Sequence, residues 1–85
     1  MEKYRIEFKR SAVKEIERLP RKDKQAILEK VAALAQHPRP HDCKKLSAEE
    51  KYRVRCGNYR ILYAIEEDAL VVYIVKIGHR KDVEV

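Results

Sequence analysis

The stretch from Lys51 to Arg80 limits the fold more than any other part of this chain. It reads KYRVRCGNYRILY, then an acidic turn IEEDA, then LVVYIVKIGHR. Gly57 and Asn58 stand between two strand-like runs, and Gly and Asn tolerate the positive φ that a tight hairpin turn demands. With these two residues as the loop, Cys56 pairs with Tyr59, Arg55 with Arg60, Val54 with Ile61 and Arg53 with Leu62. Directly paired residues share a face of a sheet, and successive residues alternate between faces. The register therefore predicts Tyr52, Val54, Ile61 and Tyr63 on a core face, with Arg53, Arg55 and Arg60 together on the other. Like charges directly opposite one another destabilise a hairpin by roughly 0.2–1 kcal/mol. Setting Arg55 against Arg60 thus points to an anion between them, phosphate being the natural one. The blander reading is a solvated basic strand face. Gly78-His79-Arg80, at the end of the following strand, brings a further cation and an imidazole toward the same sheet.

The remainder of the chain reads as support for that sheet. Tyr4-Arg5-Ile6-Glu7-Phe8 alternates apolar with charged residues, as a half-buried strand does. Ser11 is the expected N-cap of a short helix from Ala12 to about Leu19, with Val13 and Ile16 inward, and Pro20 interrupts it. A second helix is expected from Arg21–Asp23 to about Gln36. Its apolar positions Ile27, Leu28, Val31, Leu34 and Ala35 form a single stripe facing a core. The segment from His37 to Ala48 reads as a loop opened by Pro38 and Pro40. It carries Lys44 and Lys45, which either extend a phosphate-tracking surface or are simply solvated. Leu70 to Ile77 is almost uniformly apolar, the pattern of an interior strand. The expectation is an α+β fold in a single domain over residues 1–85, in the order β-α-α-β-β-β. A helical hairpin would pack on a four-stranded, antiparallel-rich sheet.

Charge narrows the partner and the missing motifs narrow the chemistry. A formal net charge of +6 over 85 residues favours an acidic partner: nucleic acid, an anionic surface or an acidic protein. No apolar run approaches the ~20 residues of a membrane span, and MEKYRIEF has no signal-peptide core, so a cytoplasmic protein is expected. Cys43 and Cys56 lack C-x-x-C spacing and read as reduced thiols, while His37 and His41 flank two prolines in HPRPH; neither pair is expected to hold a metal. There is no phosphate-binding glycine loop, and the two serines sit in no nucleophile context. What remains is a set of guanidinium groups, whose planar donor forks suit phosphate. On single-stranded RNA they would position a phosphodiester and stabilise the charge that develops when the 2′-OH attacks phosphorus. That reaction also needs a proton acceptor and a donor. His79 has a suitable unperturbed pKa, although a lone His beside Gly is more often an exposed turn residue.

At YR-V-R-C-G-N-YR-I-L-Y, followed by V-x-x-I-G-H-R, with S-A-x-x-x-I-x-x-L-P and HPRP upstream, the chain resembles the RelE/ParE superfamily of small bacterial and archaeal toxins. It is most similar to RelE-type mRNA interferases. The resemblance spans nearly the whole chain and implies the β-α-α-β-β-β fold. It also implies an endoribonuclease that cleaves mRNA in the ribosomal A site by 2′-OH attack, with no metal or other cofactor. The catalytic basic positions fall on Arg53, Arg55, Arg60 and Arg80. Arg replaces the frequent Lys at the first two, which keeps charge but does not suit general-base work, because Arg does not deprotonate. Lys44, Lys45, Lys51, His79 and Lys81 are the expected substrate-binding residues. Family members commonly carry a Tyr after G-H-R-x-D-V, and here Glu84 stands at that place. Glu84 either weakens catalysis, substitutes as a general base, or marks a branch that binds without cutting. A cognate antitoxin, mRNA and the ribosome are the implied partners, with no membrane. The alternatives are a ParE-like toxin that inhibits DNA gyrase, and a non-catalytic RNA- or ribosome-binding module.

Overall fold

A computed structural model describes residues 3–46 and 51–79. The elements are β1 (Arg5–Phe8), α1 (Arg10–Glu17), α2 (Arg21–Leu34), β2 (Lys44–Lys45), β3 (Lys51–Cys56), β4 (Tyr59–Glu66) and β5 (Val71–His79). The hairpin of β3 and β4 has the expected register, with Cys56 opposite Tyr59, Arg55 opposite Arg60, Val54 opposite Ile61 and Arg53 opposite Leu62. Gly57 turns the chain with φ of 61°. Asn58 keeps an ordinary negative φ, so glycine alone supplies the left-handed residue, as in the type II′ pattern.

The sheet order is β1-β5-β4-β3-β2, with β1 parallel to β5 and every other pair antiparallel. It has five strands where four were expected. The extra one comes from the proline-opened segment, where Lys44 pairs with Arg53 and Lys45 with Tyr52. Two residues are too few to show an alternating pattern. Both helices lie on one side. Ala12 and Ile16 of α1 and Ile27, Val31 and Leu34 of α2 pack with Tyr52, Val54, Ile61, Tyr63, Ile65, Val72, Ile74 and Ile77 in one core. Val13 and Leu28 were expected inward, yet they are 38% and 43% exposed. In a two-layer unit each helix has the sheet on one side only, and a narrow stripe spaced i, i+4, i+7 fills that contact. Among the described residues no helix is long and apolar enough to cross a membrane.

The N-cap of α1 also differs from expectation. It is Lys9, without a side-chain cap, and Ser11 lies inside the first turn. The strand sets this start: Lys9 N donates to Ile74 O at 2.9 Å, so the chain leaves β1 directly into the helix. Past Ile74, β1 no longer covers the edge of β5. There Glu15 of α1 takes over, accepting from Ile77 N at 2.9 Å through Oε1 and from Lys76 Nζ at 3.1 Å through Oε2. Glu15→Ala leaves the amide of a buried residue unsatisfied and is expected to cost about 1–3 kcal/mol. Lys76→Ala removes only the half-exposed ion pair and should cost under about 1 kcal/mol. Urea midpoints of the two variants check this, and equal losses would mean that the carboxylate does not cap the strand edge.

The segment leading to β2 is tied down by aromatic hydroxyls. Tyr63 OH donates to Pro38 O at 2.6 Å, and Arg39 Nε donates to Tyr52 OH at 3.0 Å. The two tyrosine rings stack with centroids 5.8 Å apart. Arg39 reaches on to Glu67 at 2.6 Å, and Tyr4 OH donates to the same carboxylate at 2.8 Å. Burial pushes the Tyr63 hydroxyl pKa far above the usual phenol range. These contacts hold the β2 segment beside β3 and so complete one wall of the site.

Candidate functional site

Strand pairing places side chains in rows across the face of the sheet that the helices leave open. Nearest the hairpin turn the row is Gly78, Arg60, Arg55. Next come Lys76, Leu62, Arg53 and Lys44, and then Glu7, Tyr73, Ala64 and Lys51. The row of Arg5, Val71 and Glu66 closes the face. Arg53, Arg55 and Arg60 thus share one face, and Lys44 and Lys51 join them.

Asp42, Lys44, Arg53 and Arg55 line a cavity of about 310 Å³ on this face. The one carboxylate among them is already matched: Asp42 sits 3.0 Å from Lys30 Nζ, and that hydrogen bond holds its pKa below the usual carboxylate range. Lys44, Arg53 and Arg55 make no hydrogen bond or ion pair with any other described residue. Arg55 is exposed, while Arg53 and Arg60 are half-buried and the Nε of Arg60 is shielded from solvent. Three cations around one cavity, with no ion partner among the described residues, leave an electrostatic demand that an incoming anion meets. Rigid strands hold their backbones, which favours bidentate contacts to phosphate oxygens.

Two expected substrate-binding residues point elsewhere. Lys45 pairs with Tyr52, on the helix side of the sheet. His79 pairs with Tyr59, also on that side, and its ring meets the Tyr59 ring edge-on at 5.9 Å. A β-bulge explains the position of His79. The register shifts between Leu62 and Tyr63, so that Leu62 pairs with Lys76 while Tyr63 pairs with Ile74. Val75 is the extra residue, and it reverses the alternation for everything after it. Without it His79 would share a face with Tyr73, above the arginines. The same bulge takes Lys76 off the core face and into the row of Leu62 and Arg53, although its ammonium is paired with Glu15 of α1 at 3.1 Å. On the helix side His79, Tyr59, Cys56 and Asp23 border a separate cavity of about 270 Å³, where Tyr59 OH donates to Asp23 Oδ2 at 2.9 Å. Burial raises the Cys56 thiol above its ordinary pKa, the environment of an inert rather than a nucleophilic cysteine. Among the described residues no group of three or more His, Cys, Asp or Glu is placed to hold a metal ion. Arg80, Lys81 and Glu84 lie outside the described residues.

Two helices on one side of a five-stranded mixed sheet, with the other side open and cationic, define a small α+β domain of the RelE-like fold. The family model described as the ParE toxin of type II toxin–antitoxin systems matches residues 6–84, and the chain belongs to this toxin family within the RelE/ParE superfamily. Among its relatives, the putative toxin RelE1 of Methanocaldococcus jannaschii is 30% identical over 83 residues, covering 93% of this chain and 92% of that protein. The archaeal RelE–RelB complex of Pyrococcus horikoshii OT3 contains a chain that superposes with a TM-score of 0.84 at 29% identity, covering 95% of this chain and 99% of that one. For a chain of the RelBE2 toxin–antitoxin complex of Mycobacterium tuberculosis the TM-score is 0.83 at 29% identity, with 94% of each chain covered.

Proposed function

We propose that this toxin is an endoribonuclease that cleaves mRNA on the ribosome by in-line attack of a 2′-OH, without a metal ion. The observation that carries the reading is the cavity of Lys44, Arg53 and Arg55, cations with no partner among the described residues, beside Arg60 on an open sheet face. Phosphoryl chemistry of this kind needs the phosphodiester held in line and the extra charge of the pentavalent transition state neutralised. Guanidinium groups provide both and stay charged at any working pH. In this reading Arg80 completes the set, and Lys51 and Lys81 follow the backbone of the RNA. A cognate antitoxin restrains the toxin, as the complexes of its relatives with RelB antitoxins support. An acidic segment laid over the arginine face would match its charge.

Purified chain incubated with ribosomes carrying an empty A site is expected to cut the bound mRNA there and to leave naked RNA largely intact. Glu84 enters this assay directly. It lacks the aromatic face that a tyrosine offers a base, a contact worth roughly 1–3 kcal/mol, and its carboxylate repels phosphate. Glu84→Tyr is therefore expected to raise cleavage about fivefold or more. Loss of a robust parental activity in Glu84→Gln would instead make Glu84 the general base. The matching family model keeps a second reading in view, a ParE-like toxin that inhibits DNA gyrase. Inhibition of gyrase supercoiling, with no cut on the ribosome, would replace the nuclease reading by that one.

A further inference from the structure

Of the chain's five tyrosines, four are anchored through their hydroxyls: Tyr4 to Glu67, Tyr52 to Arg39, Tyr59 to Asp23 and Tyr63 to Pro38. Tyr73 is different. It is half-buried, it lies on the open face, and its hydroxyl bonds to no other described residue. Its strand neighbour on one side is Ala64, too small to cover an aromatic ring. On the other side is Glu7, whose carboxylate is held by Arg5 at 2.9 Å. The next row holds Leu62 and Arg53, and Lys51 ends Tyr73's own row. With strands about 4.8 Å apart, Tyr73 stands about 10 Å from Lys51 across the sheet.

We propose that Tyr73 is a stacking platform for a base of the bound RNA, flanking the phosphate held by Arg53 and Arg55. The inference rests on the RNA-directed reading above and adds to it a residue that orients the strand. Bases that are splayed out of a single strand stack on aromatic side chains presented by a sheet, and any base suits because each has a π-face. The occupant is RNA rather than an apolar protein segment because the surrounding rows supply phosphate partners. Lys44, Lys51, Arg53, Arg55 and Arg60 lie on the same face, and the two rows nearest the turn contain no carboxylate. An apolar helix laid here would bury those guanidinium groups without counter-charges. A nucleotide places its base on Tyr73 and its phosphate among them. Glu66, in the closing row, bounds the strand at the far end of the face.

The test uses the full chain and a short fluorescent oligoribonucleotide, with a matched strand that carries abasic positions. Tyr73→Leu keeps an apolar strand residue but removes the aromatic face, and it is expected to weaken binding about 5- to 150-fold. Tyr73→Phe should bind like the parent. The parent itself should bind the abasic strand more weakly, and on that strand Tyr73→Leu should no longer differ from it. Because Tyr73 carries no charge, the salt dependence of Tyr73→Leu should match the parent's, whereas Arg53→Ala should flatten it. If Tyr73→Leu bound the base-bearing strand as tightly as the parent, the stacking role would be wrong, while a flattened slope in Arg53→Ala would still uphold RNA binding. A parent that showed no salt-dependent RNA binding would sink both readings. Unchanged RNA binding with lost antitoxin binding in Tyr73→Leu would make this face a protein-docking surface and overturn the proposal. A parent that bound both strands equally would overturn it too, independently of any variant's fold.

Discussion

Leu34→Ala is expected to cost about 2–5 kcal/mol of stability, and Leu28→Ala less than about 1 kcal/mol. The two residues belong to one helix and read as one apolar stripe in the sequence. Leu34 is 1% exposed within the core, and its truncation removes buried methyl groups and leaves a cavity where Ile27, Val31 and the sheet meet. Leu28 is 43% exposed and leaves no cavity. Domains of this kind are stable by only about 5–15 kcal/mol in all, so the Leu34 loss consumes a large share. At roughly 4–8 °C per kcal/mol, the thermal midpoint should fall by at least about 8 °C for Leu34→Ala and by no more than about 8 °C for Leu28→Ala. Comparable losses at the two positions would mean that the exposed face of α2 is covered in solution.

How much of this was legible in the sequence depends on what fixed each feature. The β3–β4 register was fully legible because a glycine-bearing two-residue turn leaves only one pairing, and one pairing assigns every side chain to a face. The core followed from it. The bulge at Val75 was not legible, because an apolar run reads the same with or without an extra residue. Everything downstream of it changed face as a result, His79 moving away from the arginines and Lys76 toward them. The two-residue β2 was hidden for a different reason: it is held by pairing with β3 and by Arg39 and Tyr63 contacts from a segment that reads only as a proline loop. Ser11 misled because a capping hydroxyl is a local preference, and the bond from Lys9 N to Ile74 O outweighed it. Local signals located the turn and the stripes, while tertiary contacts set where strands end and which way their last residues face.

The arginine face makes the second large prediction, and it has two signs. Combining Arg53→Ala with Arg55→Thr removes two cations from the cavity wall, neither with a partner among the described residues. Charge-assisted hydrogen bonds contribute about 1.5–3 kcal/mol each, so binding of single-stranded RNA at low salt should weaken about a hundredfold or more. The slope of log affinity against log salt should shrink by about 1.4, since each contact to a single strand contributes about 0.7. Cleavage on the ribosome should fall at least as far if these groups also stabilise the transition state. Stability should move the other way. Arg55 stands directly opposite Arg60, one pair beyond the turn, where side chains on neighbouring strands approach closely. In Arg55→Thr alone, relieving that repulsion with a β-branched residue now on the strand should stabilise the free protein by roughly 0.2–1 kcal/mol. A cation pair that serves only solubility would show neither change in RNA affinity nor any reason for the strain to be kept. Gain of stability together with loss of binding is the signature of like charges held apart for an anion. Unchanged affinity and slope would show the arginines to be a solvated face, with the anion bound elsewhere.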